Sequence, residues 1–175
     1  AVERMDSIRG GYPSLIQPWK HPSAFSYHQK IAKILERCSG LLLAGGHVAI
    51  LRNRLFFFGL EEILPTFLAA GKQIFAWSAG AMTLSKRIVL YYDNPPDGVG
   101  HPELLDSGLS LLPESIFLPH ASERLKLNDP DRVSRFARRF QPYSCVALEE
   151  GDHLQFDLQG QLLHTQGGSR LGKDG

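Results

Sequence analysis

Short continuous apolar runs alternate with stretches of helical spacing along this chain, and glycines punctuate the boundaries between them. From Phe25 to Cys38 the residues Phe25, Ile31, Ala32, Ile34, Leu35 and Cys38 fall mostly at helical spacing, which predicts a helix with Ser23 as its N-cap. Ser39 to Ala44 is an apolar run ending in Gly45-Gly46, the pattern of a fully buried parallel strand and its exit loop. A helix over Val48 to Phe58 is expected next, then Gly59, then a second short helix with Pro65 in its first turn. Lys72 to Trp77 reads as the following strand. Strand, glycine loop, helix and strand in that order describe a βαβ unit. Sites in open sheets of this kind gather beyond the carboxyl ends of the strands, where Gly45-Gly46 and Ser78 would lie.

Further along, Tyr91 to Pro113 is rich in Pro, Gly and Asp and reads as a long loop or an excursion from the sheet. Ser115 to Leu118 is expected to be a short strand terminated by Pro119-His120. Asp129 to Phe140 carries the clearest helical pattern: Pro130 in the first turn, Asp131 near the positive end, and Val133, Phe136, Ala137 and Phe140 on one face. Ser144 to Leu148 reads as another buried strand, and Leu154 to Leu163, with Gly160 near its middle, as a terminal hairpin. Residues 1–23 hold glycines and prolines with little periodicity and are read as an irregular approach segment without chemistry.

The 175 residues suit one domain, 1–175, with a sizeable core. With 43% hydrophobic residues, 21% charged residues and a net charge of +1, the composition is that of an ordinary globular protein and selects no partner class. Cys38 and Cys145 sit in apolar surroundings and make no disulfide framework, which fits a reducing, cytoplasmic setting. No apolar run approaches the ~20 residues of a membrane-spanning helix, so no membrane partner is expected. The chain begins with Ala, so a processed product or a piece of something longer stays open.

Chemistry enters at Ser78. An apolar strand stops at this serine and small residues follow, with Ala76 two positions before it and Gly80 two positions after. That is the pattern of a nucleophile elbow, whose two backbone arms nearly touch. A strand running into a helix with Ser78 as its N-cap would look much the same. A nucleophilic serine needs a base and an acid to orient it. His120, at the end of a strand, is the candidate base, and Asp93, Glu149 and Glu150 are candidate acids. An oxyanion hole needs two converging N–H donors, which Ala79 and the Gly45-Gly46 loop, through Gly46, are placed to give.

Taken together, the run from about Ala32 to Gly168 resembles the dipeptidase E and cyanophycinase family of serine peptidases, most closely the aspartyl dipeptidase branch. The family's Gly-Gly-Asn-Thr appears as Gly45-Gly46-His47-Val48, and its Trp-Ser-Ala-Gly-Ala as Trp77 to Ala81. Its loop aspartate matches Asp93, its Asn-Pro-His-Phe matches Leu118-Pro119-His120-Ala121, its Pro-Glu-Gly matches Glu149-Glu150-Gly151, and its closing Gly-Gly survives at Gly167-Gly168. The resemblance implies an α/β, flavodoxin-like three-layer sandwich with a mostly parallel sheet and a C-terminal hairpin, related to class I glutamine amidotransferases. It implies a serine hydrolase of a small peptide or isopeptide, with Ser78 as nucleophile, His120 as general base, and Asp93 or Glu150 as third member. Neither metal nor cofactor belongs to that chemistry.

Three of the chain's departures from the pattern bear on the reading. His47 replaces the asparagine, and the arginine expected before the loop aspartate falls on Val89, with Arg87 nearby. Gly45, His47 and Arg87 are therefore the candidate substrate contacts. The family's first strands have no counterpart in the short N-terminal stretch, so a missing segment or a second copy is expected to cover the sheet edge. A catalytically inactive binding module on the same scaffold is the alternative reading. The basic residues Arg124, Lys126, Arg132, Arg135, Arg138 and Arg139 read as a solvated helix face rather than a nucleic-acid surface.

Overall fold

The computed structural model describes residues 17–91 and 103–174. These divide into two compact units, one of residues 17–42 with 52–75 and the other of 43–51 with 76–174. Asp93 and most of the expected approach segment lie outside the described residues.

In the first unit, a single 3-10 turn, Pro18–Lys20, leads into α1 (Pro22–Arg37). The N-cap of α1 is His21, not Ser23: its ring nitrogen accepts the Ser23 N–H at 3.3 Å. The reason is Pro22. A proline at the first helical position has no N–H, so the first donor in need of a cap belongs to Ser23. At the other end, Lys72 donates to the carbonyls of Leu35 and Glu36, both at 2.7 Å, where the helix dipole favours a cation. Helix α2 (Val48–Phe57), of which residues 52–57 lie in this unit, is followed by Gly59, whose φ of 69° opens α3 (Leu60–Ala69). A Cβ at Gly59 would stand 2.7 Å from Trp19 Cγ and 2.9 Å from His28 Nδ1, so this corner accepts glycine alone. Leu60, Leu64 and Phe67 form the buried stripe of α3. Pro65 lies inside α3 rather than in its first turn. It is exposed there, where water can serve the carbonyl that its missing N–H leaves unpaired.

Strands β1 (Gly40–Leu43) and β2 (Gln73–Ala76) pair with each other. Gln73 N–H donates to Ser39 O at 3.2 Å in the first unit, and Trp77 N–H to Leu43 O at 3.1 Å in the second. Both bonds have the same sequence offset, so the pair is parallel, as the βαβ pattern requires.

The second unit holds the larger apolar core. Helix α4 (Ala79–Leu84) follows β2, and β3 (Arg87–Leu90) pairs antiparallel with β4 (Glu103–Ser107). Glu103–Ser107, within the segment read from sequence as a loop or an excursion, is thus strand. Strand β4 is half-buried without apolar alternation and is flanked by proline and glycine, so its pairing is decided by β3 rather than by its own pattern. Strand β5 (Ser115–Pro119) runs into α5 (Ala121–Arg124), and α6 (Pro130–Arg139) is capped by Asp129, which accepts the Arg132 N–H at 3.1 Å. Phe136, Ala137 and Phe140 are buried, as their spacing predicts. Strand β6 (Ser144–Leu148) lies parallel to β5, and the short β9 (Ser169–Arg170) closes its other edge. Strands β7 (His153–Phe156) and β8 (Leu162–Gln166) form the expected hairpin, with Gly160 in its turn at φ 77°. Among the described residues no helix is long and apolar enough to cross a membrane.

Candidate active site

Between β2 and α4 the backbone turns sharply at Ser78, with φ 51° and ψ −124°. A non-glycine residue in such a region costs about 1–3 kcal/mol, so the surrounding structure must impose it. Ser78 occupies the N-cap position of α4, yet its side chain makes no capping hydrogen bond. The hydroxyl of a capping serine would be engaged with the first turn, so ordinary capping does not explain this residue.

What imposes the turn is the loop leaving β1. A Cβ on Gly80 would overlap the carbonyl oxygen of Leu43, and a Cβ on Gly45 would stand 2.9 Å from Ser78 Cβ and 3.2 Å from its Oγ. Only glycines at both positions let the loop and the serine turn share this space. Gly46 then adopts φ 126°, with nothing within 4 Å of the side-chain position. His47 is exposed, and its carbonyl accepts the Leu51 N–H at 3.0 Å, opening α2.

His120 ends β5 in the left-handed region, at φ 57° and ψ 41°, and is exposed. The residues on either side of it are fixed. The buried Tyr91 hydroxyl donates to the Pro119 carbonyl, and Ala121 is fully buried. Ala79 and Ala121, which directly follow Ser78 and His120, belong to one apolar core with Met82, Ile116 and Leu118. One packed core therefore carries both candidate catalytic residues.

The parallel register of β5 and β6 sets Pro119 beside Leu148, so the glutamates after Leu148 emerge at the same end as His120. Their environments differ. Glu149 accepts the Ser122 N–H at 2.7 Å on one carboxylate oxygen and the Ser122 hydroxyl at 2.9 Å on the other. Glu150 is exposed in the turn that follows. This turn is closed by Asp152, whose carboxylate accepts the Glu149 N–H at 2.8 Å and packs on Gly167, at φ 66°. The second glycine pair of the sequence thus supports the glutamate turn.

Arg87, a candidate substrate contact, is buried on β3 with its guanidinium 4.9 Å from the Tyr143 ring centre. Tyr91 and Ser122 escaped sequence reasoning. Tyr91 opens the segment read from sequence as a loop or an excursion, and nothing local marks Ser122 as the partner of a glutamate beyond another strand. Among the described residues there is no group of three or more His, Cys, Asp or Glu side chains able to hold a metal ion.

A family model, described as peptidase family S51, matches residues 22–163. The subunit PdxT of pyridoxal 5'-phosphate synthase from Geobacillus kaustophilus (strain HTA426) is 45% identical over 65 residues, which are 37% of this chain and 33% of that protein. PdxT from Listeria monocytogenes serotype 4b (strain CLIP80459) is 32% identical over 82 residues, 47% of this chain and 44% of that protein. The match therefore spans between a third and a half of these relatives. A solved structure from Listeria monocytogenes EGD-e, of a protein described as a peptidase E, superposes with a TM-score of 0.53 at 17% identity. It covers 82% of this chain and 65% of its own. That likeness shows the fold: mixed α/β of the flavodoxin-like kind, with parallel sheet elements.

Proposed function

Because the chain belongs to peptidase family S51, we infer that it is a serine hydrolase cutting a short peptide or isopeptide bond through an acyl-enzyme at Ser78. The observation that carries this reading is the backbone of Ser78, held at φ 51° and ψ −124° beneath Gly45 without a capping bond. This is the geometry of a nucleophile elbow, which exposes a hydroxyl at a strand-to-helix corner.

In the reaction, Ser78 Oγ attacks the scissile carbonyl while His120 takes its proton. The N–H groups of Gly46 and Ala79 receive the negative charge that develops on the carbonyl oxygen. His120 then returns the proton to the leaving amine, and water, deprotonated by the same imidazole, releases the acyl group. Of the two candidate acids that orient His120, Glu150 has the support of the β5–β6 register. Asp93 rests on its motif alone. Arg87 lies over Tyr143, ahead of β6 and at the end of the β5–β6 pair away from His120, a position that lends no support to its reading as a substrate contact.

A fluorophosphonate probe tests the assignment, because it phosphonylates only an activated serine. The folded protein is expected to be labelled and Ser78→Ala is not. Absence of labelling in the folded wild-type chain would favour a binding module on the same scaffold.

A further inference from the structure

Glu149 stands beside the proposed machinery without a part in it, yet its carboxylate is fully engaged. Both oxygens go to one residue, Ser122, at 2.7 Å to its N–H and 2.9 Å to its hydroxyl. Ser122 is the second residue after His120 and sits in the first turn of α5, a helix of only four residues. Such a helix makes too few internal bonds to hold its own start in place. His120 itself is left-handed, a conformation a histidine keeps only when its neighbours compel it. On the N-terminal side the compulsion comes from Tyr91, whose hydroxyl donates to the Pro119 carbonyl.

We propose that Glu149 is a positioning residue for His120: its carboxylate clamps Ser122 from the turn after β6 and so fixes the turn that aims the imidazole. The inference rests on the Ser78–His120 reading. The clamp is anchored in turn, because Asp152 accepts the Glu149 N–H at 2.8 Å and leans on the backbone of Gly167. Positioning and acid duties are thereby divided between neighbours, with Glu149 spent on Ser122 and Glu150 left for the imidazole. A change of about an ångström in a catalytic group costs on the order of 100-fold in rate, so a loosened turn is felt in chemistry more than in binding.

Glutamine separates a clamp from a charge. In Glu149→Gln the amide oxygen still accepts the Ser122 N–H, and the amide NH2 donates to the Ser122 hydroxyl, which rotates to accept it. Glu149→Ala removes both bonds. The expected second-order rates of fluorophosphonate labelling follow: Glu149→Ala about 10- to 100-fold slower than wild type, and Glu149→Gln within about 3-fold. Combining Ser122→Ala with Glu149→Ala should slow labelling little further, since the two act as one unit. Glutamine as slow as alanine would overturn the clamp in favour of a role for the charge, and alanine at the wild-type rate would overturn it outright. Amide hydrogen exchange at Ser122 reads the clamp without activity: protection is expected in wild type and Glu149→Gln and lost in Glu149→Ala. An unprotected Ser122 amide in wild type would also overturn it. If wild type is not labelled while Ser122 follows this pattern, the Ser78 reading falls and the clamp stands.

Discussion

Gly80 lies so close to the carbonyl oxygen of Leu43 that a Cβ at position 80 would overlap it. The first turn of α4 is therefore pressed against the exit of β1, and the same approach brings Gly45 over Ser78. Gly80→Ala should cost about 3 kcal/mol or more, because the obstacle is backbone and cannot rotate aside. Gly45→Ala meets Ser78 Cβ, which cannot rotate aside either, but at 2.9 Å the overlap is smaller; it should cost less, about 1–2 kcal/mol, while displacing Ser78 and slowing probe labelling. Urea melts rank the two variants. A Gly80→Ala protein as stable as wild type would mean that the two segments are not in contact.

Features set by local sterics were legible in the sequence, and those set by tertiary pairing were not. Ala76, Ser78, Gly80 and Gly45-Gly46 announce a tight strand-to-helix corner because only small residues tolerate it. The helix Pro130–Arg139 shows its face through Phe136, Ala137 and Phe140, and its start through Asp129 and Pro130. By contrast, Glu103–Ser107 becomes a strand by pairing with Arg87–Leu90, and nothing in its own half-buried pattern says so. The split between Glu149 and Glu150 depends on the register of two parallel strands distant in sequence. Two adjacent glutamates look alike until the short helix after the neighbouring strand supplies Ser122.

The two cysteines should behave as different species. Burial pushes the Cys145 thiol up to about 12, so almost none of it is thiolate near neutrality, whereas Cys38 is half-buried at the end of α1. The thiolate is the reactive form. A disulfide reagent such as DTNB at mildly alkaline pH should titrate Cys38 in the folded protein and Cys145 only after denaturation. Rapid reaction of both in the native state would contradict the burial of Cys145.

Glu61 offers a test by pH. Burial, the largest effect, raises its carboxyl above the ordinary range; Arg52 acts in the opposite sense, and Glu62 reinforces the rise. The folded chain therefore holds this proton more tightly than the unfolded chain does. Its contribution to stability is fully present below the unfolded carboxyl range and is lost as pH rises through the raised folded value. Glu61→Gln cannot ionise and should escape that loss, becoming more stable than wild type at neutral pH. The advantage should vanish once the solution is acid enough to protonate both states. Urea melts at the two conditions measure the difference. A glutamine variant less stable at neutral pH would mean that the attraction of Arg52 outweighs burial.

On the proposed reading Ser78 ties strain to reactivity, and three side chains at this position separate the two. At φ 51° and ψ −124° any residue with a Cβ is strained by about 1–3 kcal/mol, and glycine is not. Glycine returns part of that gain, about 0.5–1 kcal/mol, through the greater freedom of its unfolded chain. Ser78→Gly should therefore be more stable than wild type by about 1 kcal/mol. Ser78→Ala keeps the strain and loses a hydroxyl that caps nothing, so its stability should stay near wild type. Neither variant should take up a fluorophosphonate. This ranking is expected where a fold stores strain to expose a nucleophile, and it opposes the order for a capping serine, whose loss to alanine costs about 1 kcal/mol. If alanine proves clearly destabilising and glycine no better than serine, Ser78 is a structural cap and the hydrolase assignment loses its central residue.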